Sequence, residues 1–188
     1  MDRTRTIYRA AGTGLVALVT LAAGCNNKNK PTPENFMKTM NAYFQDRNDC
    51  LFPQGHTWPY EVAPSPTAKD DKKQMDALTD AGLLTRLEDR SMNVSRYSLN
   101  GLAGKRFAPR FCYGHREVTS IVSNTPPGPK NGFTETDVTY EYQMRDVPVW
   151  ANSDAVKAAF PQLGKSLGNT PTDQMTLATV GAGWQVPR

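Results

Sequence analysis

The chain has 188 residues, of which 38% are hydrophobic and 21% charged, enough apolar surface for a packed core and too little charge excess for a disordered chain. The formal charge of +4 is spread with the signs interleaved, which excludes the concentrated basic footprint of a nucleic-acid binder. Three cysteines and two histidines leave little material for a metal centre, and no Cys-x-x-Cys occurs, so no metal or cofactor is expected.

Residues 1–24 follow the plan of an export leader. Arg3, Arg5 and Arg9 form a positive start. Residues 10–23 (AAGTGLVALVTLAA) are uncharged and largely apolar. That run is too short to span a bilayer comfortably, which takes ~20 apolar residues. It ends in Leu21-Ala22-Ala23-Gly24-Cys25. This ending resembles the lipobox of bacterial lipoproteins, in which small residues precede an obligatory cysteine. The resemblance implies a diacylglycerol thioether on Cys25, cleavage between Gly24 and Cys25, and acylation of the new amino group. The partner so implied is a lipid bilayer, reached through the acyl chains. Asn26 stands where an Asp marks retention at the inner membrane in Gram-negative families, which favours the periplasmic face of the outer membrane.

Residues 25–32 are polar and unpatterned and read as a tether, about 25 Å long at full extension. Thr32 suits a helix cap and Pro33 the first helical position. Phe36, Met37, Met40, Tyr43 and Phe44 recur at helical spacing, so a helix is expected from Pro33 to about Asn48. If Cys25 carries lipid, Cys50 and Cys112 remain, and export would place them where an even pair is normally bridged. The competing reading is a reactive thiol, with Cys112 three residues before His115.

Residues 52–66 (FPQGHTWPYEVAPSP) hold four prolines and cannot form a long regular element. Their His56, Trp58 and Tyr60 either fold back onto the core or form an exposed contact loop for a protein partner in the envelope. Residues 69–81 predict a second helix, with Met75 and Leu78 on its apolar stripe and Gly82 at its end. A polar stretch follows Leu83-Leu84. Within residues 70–108, Leu78 to Leu84 and then Tyr97 to Gly104 resemble the two halves of a winged-helix module. That resemblance implies a shape; behind an export leader, and with Asp76 and Asp80 offsetting Lys72 and Lys73, it implies no DNA binding.

From Phe111 the period becomes two. Residues 116–123 predict a strand, 124–132 a turn-rich loop, and 134–144 a half-buried antiparallel strand with Val138, Tyr140, Tyr142 and Met144 on one face. Residues 155–160 predict a short helix stopped by Pro161, and 175–180 with 184–186 a terminal hairpin. The run from Cys112-Tyr113-Gly114-His115 to the Asp-Val-Pro-Val-Trp ending at Trp150 resembles the C-terminal half of small uncharacterised proteobacterial lipoproteins, a likeness that implies no activity. Gly164-Lys165-Ser166 lacks the upstream glycine of a phosphate-binding loop and reads as surface. Glu135, Asp137 and Glu141 read as a solvated strand face.

The expected fold is α+β, one compact domain in two lobes: a mainly helical lobe over 33–108, with a winged-helix-like segment, packed on a mainly antiparallel β lobe over 109–188. The expected function is that of a membrane-anchored periplasmic lipoprotein, non-catalytic, binding a partner or serving the envelope. An immunity or inhibitor lipoprotein acting through the Trp58 loop, and an envelope hydrolase using His115 or Glu141, are the alternatives.

Overall fold

The computed structural model describes residues 27–66, 68–179 and 181–187. The leader, Cys25 and Asn26 lie outside the described residues. Helices and antiparallel sheets together make the chain α+β, as expected.

Helix α1 (Pro33–Phe44) starts where Thr32 and Pro33 predict: Thr32 Oγ1 accepts from the backbone N–H of Asn35 at 3.4 Å. Phe36, Met40 and Phe44, four residues apart, bury one face. The helix stops short of Asn48 because residues 48–50 leave it to pair as β1 (Asn48–Cys50). Strand β2 (Tyr60–Val62) interrupts the proline-rich loop, and α2 (Ala68–Asp80) follows with Met75, Ala77 and Leu78 buried. Gly82, at φ +76°, turns the chain out of α2 in the left-handed conformation that glycine takes without strain.

The polar stretch after Leu84 is a hairpin of β3 (Leu84–Asp89) and β4 (Val94–Leu99), paired in register from Leu84–Leu99 to Asp89–Val94. Asp89 Oδ1 closes its turn by accepting from the N–H groups of Ser91 and Met92, at 3.0 and 3.2 Å. With β2 on the other side of β4, these form a three-stranded sheet. Helix α3 (Gly101–Phe107) sits at its end. A Cβ at Gly104 would lie 2.3 Å from the carbonyl oxygen of Leu83, so only glycine lets α3 seat against the start of β3. A single helix stands between β2 and the hairpin, where a helix-turn-helix needs a pair.

The second sheet is built on the long strands β5 (Cys112–Asn124) and β7 (Phe133–Arg145), with β1 outside β5. The expected loop 124–132 contains a further short strand, β6 (Gly128–Lys130). Thr134 and Glu135 pair at once with β6 and with β8 (Thr172–Thr179), and Val138 to Glu141 pair at once with β5 and β8. A strand has two edges, so β5 and β6 share one edge of β7 and β8 takes the other. The expected alternation holds: Val138, Tyr140 and Tyr142 are buried, with Met144 half-buried. Between β7 and β8 run a 3-10 turn (Val149–Asn152), α4 (Asp154–Ala159) and α5 (Pro161–Ser166). Pro161 ends one helix and opens the next, since a missing N–H costs nothing at a first helical position. Gly164-Lys165-Ser166 is thus helical rather than surface loop, with Ser166 buried.

Two hydrophobic cores result. One packs Phe36, Met40 and Phe44 on Val118, Val138, Tyr140, Tyr142, Leu177 and Trp184. The other gathers α2, β2, β4, Phe111, Tyr113 and residues 150–163. Spatial division therefore crosses the expected split at residue 108. Helix α1 of the first half serves the sheet of the second, while α4 and α5 of the second half pack with α2 and β4 of the first. Among the described residues, both cores lie within residues 36–186.

Candidate functional site

Cys50 and Cys112 stand opposite each other on β1 and β5 and are bonded, Sγ to Sγ, at 2.07 Å. The bridge spans 62 residues and clamps the segment after α1 to the start of β5. This disposes of the reactive-thiol reading, since a bridged Cys112 holds no thiolate for His115 to activate. Between them, Gly114 (φ +117°) passes so close to β7 that a Cβ would lie 2.1 Å from the carbonyl oxygen of Arg145. His115 instead faces Asp146 across 3.4 Å, and the Asp146 side chain is 83% exposed.

The three β7 carboxylates are each held by a neighbour, two on the sheet and one in the turn before β7. Glu141 accepts from Ser120 Oγ at 2.7 Å, Asp137 from Thr176 Oγ1 at 2.5 Å, and Glu135 from Asn131 Nδ2 at 3.3 Å. The hydrolase alternative needs a pair of carboxylates, or a base with a nucleophile, converging on one cleft. These groups are instead laid out along a ladder.

The loop carrying His56, Trp58 and Tyr60 takes the first of its two expected arrangements. The His56 ring stacks on Trp58 (centroids 4.8 Å apart) and meets the edge of Tyr60 (4.5 Å). Trp58 in turn packs against the buried Phe111 at 5.5 Å. Tyr60 donates its hydroxyl to Asp71 Oδ2 at 3.1 Å, and burial followed by that carboxylate raises its pKa. All three rings are half-buried, with the cluster turned onto the core.

Sequence reading missed two polar centres, the first because its partners are far apart in the chain, the second because only its Lys72–Asp76 pair is local on a helix. Arg116, on β5, donates to Asp49 (2.8 Å), to the Tyr140 hydroxyl (3.0 Å) and to Asp173 (2.6 Å). Its guanidinium lies 4.8 Å from the Tyr142 ring centre and 5.6 Å from that of Phe44. Burial opposes its charge, but Asp49, Tyr140 and Asp173 outweigh it and raise the pKa further. In the other sheet, Asp76 of α2 accepts from Lys72 (2.8 Å), Arg86 (2.6 Å) and Tyr97 (2.8 Å). Burial pushes its pKa up, and the three donors more than reverse this, leaving it lowered. Both centres are saturated with protein partners and join elements, which is a structural task.

One concave surface lies between α3 and residues 146–150. This cleft has a volume of about 780 Å³ and is lined by Phe107, Pro148, Val149 and Trp150, with Arg106 and Asp146 as charged groups. Val149, in that lining, is 91% exposed, and Leu102, elsewhere on α3, is 87% exposed. An apolar lining with a few polar groups is the usual make-up of a recognition site.

Among the described residues, no helix is long and apolar enough to cross a membrane, and no group of three or more His, Cys, Asp or Glu side chains could hold a metal ion. Comparison with family models, with curated proteins and with solved structures finds no match.

Proposed function

We propose that this chain is an exported lipoprotein, held on the periplasmic face of an envelope membrane by acyl chains on Cys25, whose folded domain is a non-catalytic binding module. The observation that carries the reading is the N-terminal sequence: three arginines, an apolar run too short to span, and small residues up to Cys25. Two or three acyl chains give stable anchoring where one gives only marginal binding. The Cys50–Cys112 bridge supports it, because such a bridge persists in an oxidising compartment. The outer membrane is favoured by Asn26.

Binding rather than catalysis is supported by the state of the chemical groups. Cys112 is bridged, the β7 carboxylates are laid out singly, and the most deeply placed ions are neutralised within the fold. Helix α2 and the β3–β4 hairpin serve as a platform for α3 and the cleft beside it, and no nucleic acid is a partner. Growth with an alkyne-bearing palmitate analogue tests the anchor. Wild-type protein takes up the label and Cys25→Ser does not; a label retained in the variant refutes the reading.

A further inference from the structure

The last residues of the chain fold back beside α1. Gln185 pairs with Ala178 of β8, and Trp184 meets Phe36 edge-on at 5.1 Å. The Trp184 indole donates to the carbonyl of Lys30 at 3.2 Å, and Thr39 donates to the carbonyl of Trp184 at 3.3 Å. The start of the described chain and its end are thereby fixed to the same face of α1. Between α1 and residues 182–187 lies a groove of about 610 Å³.

Three cations line this groove, Lys28, Lys38 and Arg47, together with Tyr43 and Trp184. No carboxylate among the described residues does so. Elsewhere Lys72, Arg86, Arg96, Arg116 and Arg145 each sit against an acidic partner. Among the described residues, Lys28, Lys38 and Arg47 have none, as is true of Lys69, Lys105 and Arg110 elsewhere; what distinguishes the three is that they share one groove. Glu34, one turn before Lys38, is turned to the helix start, where its own N–H and Thr32 lower its pKa. Arg47 is held in place without being neutralised: it donates to the carbonyl of Tyr43 at 2.9 Å and lies 4.0 Å from the centre of that ring.

Lys28 is three positions after Cys25 in the sequence, a reach of about 10 Å at full extension. An anchor on Cys25 therefore holds the groove within headgroup range of the bilayer. We infer that this groove is a binding site for the phosphate headgroup of an anionic lipid in the leaflet carrying the anchor. Lys28, Lys38 and Arg47 supply the counter-charge, and Tyr43 and Trp184 are the amphipathic rings that settle at a membrane interface. This inference rests on the lipoprotein reading for its geometry, and its test is independent of the anchor.

The test uses residues 25–188 with Cys25→Ser, produced without the leader, a chain that retains both cores. Flotation with vesicles of phosphatidylcholine alone is compared with vesicles containing phosphatidylglycerol. Binding is expected to favour the anionic vesicles by roughly 100-fold, about fivefold per cation, and to weaken as salt is raised. Lys38→Gln with Arg47→Gln should reduce it by roughly 30-fold, and the Glu pair, which also adds two negative charges, should abolish the preference. Equal binding to the two vesicle types, or anionic binding untouched by these variants, overturns the proposal. Inorganic phosphate bound with no preference for anionic vesicles would assign the groove to a soluble anion and also overturn it. Because the tested chain has no anchor, such failures leave acylation of Cys25 standing.

Discussion

Arg116 shows how much of this fold rests on single charged side chains. It ties β1, β5, β7 and β8 through Asp49, Tyr140 and Asp173 while its own side chain is only 14% exposed. Removing one member of a buried pair strands the others, at a cost of about 3–5 kcal/mol. Arg116→Met is therefore expected to lower stability by roughly that amount in chemical denaturation. Asp173→Asn should cost under about 1 kcal/mol, since Asp173 is 42% exposed and already shares its ion with water. Tyr140 gives a matching pH signature. Burial pushes its hydroxyl up to about 12, against the pull of Arg116, whereas an unfolded tyrosine titrates near 10. Between those values the folded chain keeps a proton that the unfolded chain has lost. The contribution is fully present below about pH 10 and is lost as pH rises through about 12. A tyrosinate absorbance titration should show a late component in the folded protein that moves down to about 10 in denaturant. None of this was visible in sequence, because Asp49 and Asp173 lie 67 and 57 residues from Arg116 and no local spacing records their meeting.

At the scale of elements, legibility followed burial. Helix α1 and strand β7 were readable because each buries one face, which writes a period of four or of two into the sequence. Strand β3 was not, because all but its first residue are exposed on both faces, so alternation had nothing to encode. Strand β2 was hidden by the prolines around it, and α5 by the proline that opens it. The bridge was readable from cysteine number and compartment, and its place in the β1–β5 ladder emerged only with the fold. Cys50→Ser with Cys112→Ser should lose about 2–4 kcal/mol by denaturation midpoint, the entropy released to the unfolded chain by opening so long a loop. Thiol labelling of native, non-reduced protein should find neither cysteine accessible; two labelled thiols would remove the bridge and restore the Cys112–His115 reading.

The whole molecule is knit rather than stacked. Division at residue 108 separates helical from strand-rich sequence but not one core from the other, since α1 crosses to the second sheet and α4 and α5 cross to the first. Composition and periodicity report which elements exist. They do not report which sheet a helix will cover, because any apolar stripe of the right width fits either face. The interleaving fixes both ends of the described chain beside α1, where Lys30, Thr39 and Trp184 meet. That places the start of the described residues and the cationic groove on one side of the molecule. The α3 cleft, with the exposed Val149 in its lining, is the surface proposed for a partner. The reading of compartment and partner depends on the chemistry at Cys25. Intact mass of protein isolated from membranes of the producing cell addresses it directly. The account predicts a chain beginning at Cys25 and heavier than its residues by a diacylglyceryl group and an acyl chain. A chain that retains Met1, or that begins at or beyond Cys25 without added lipid mass, would contradict it.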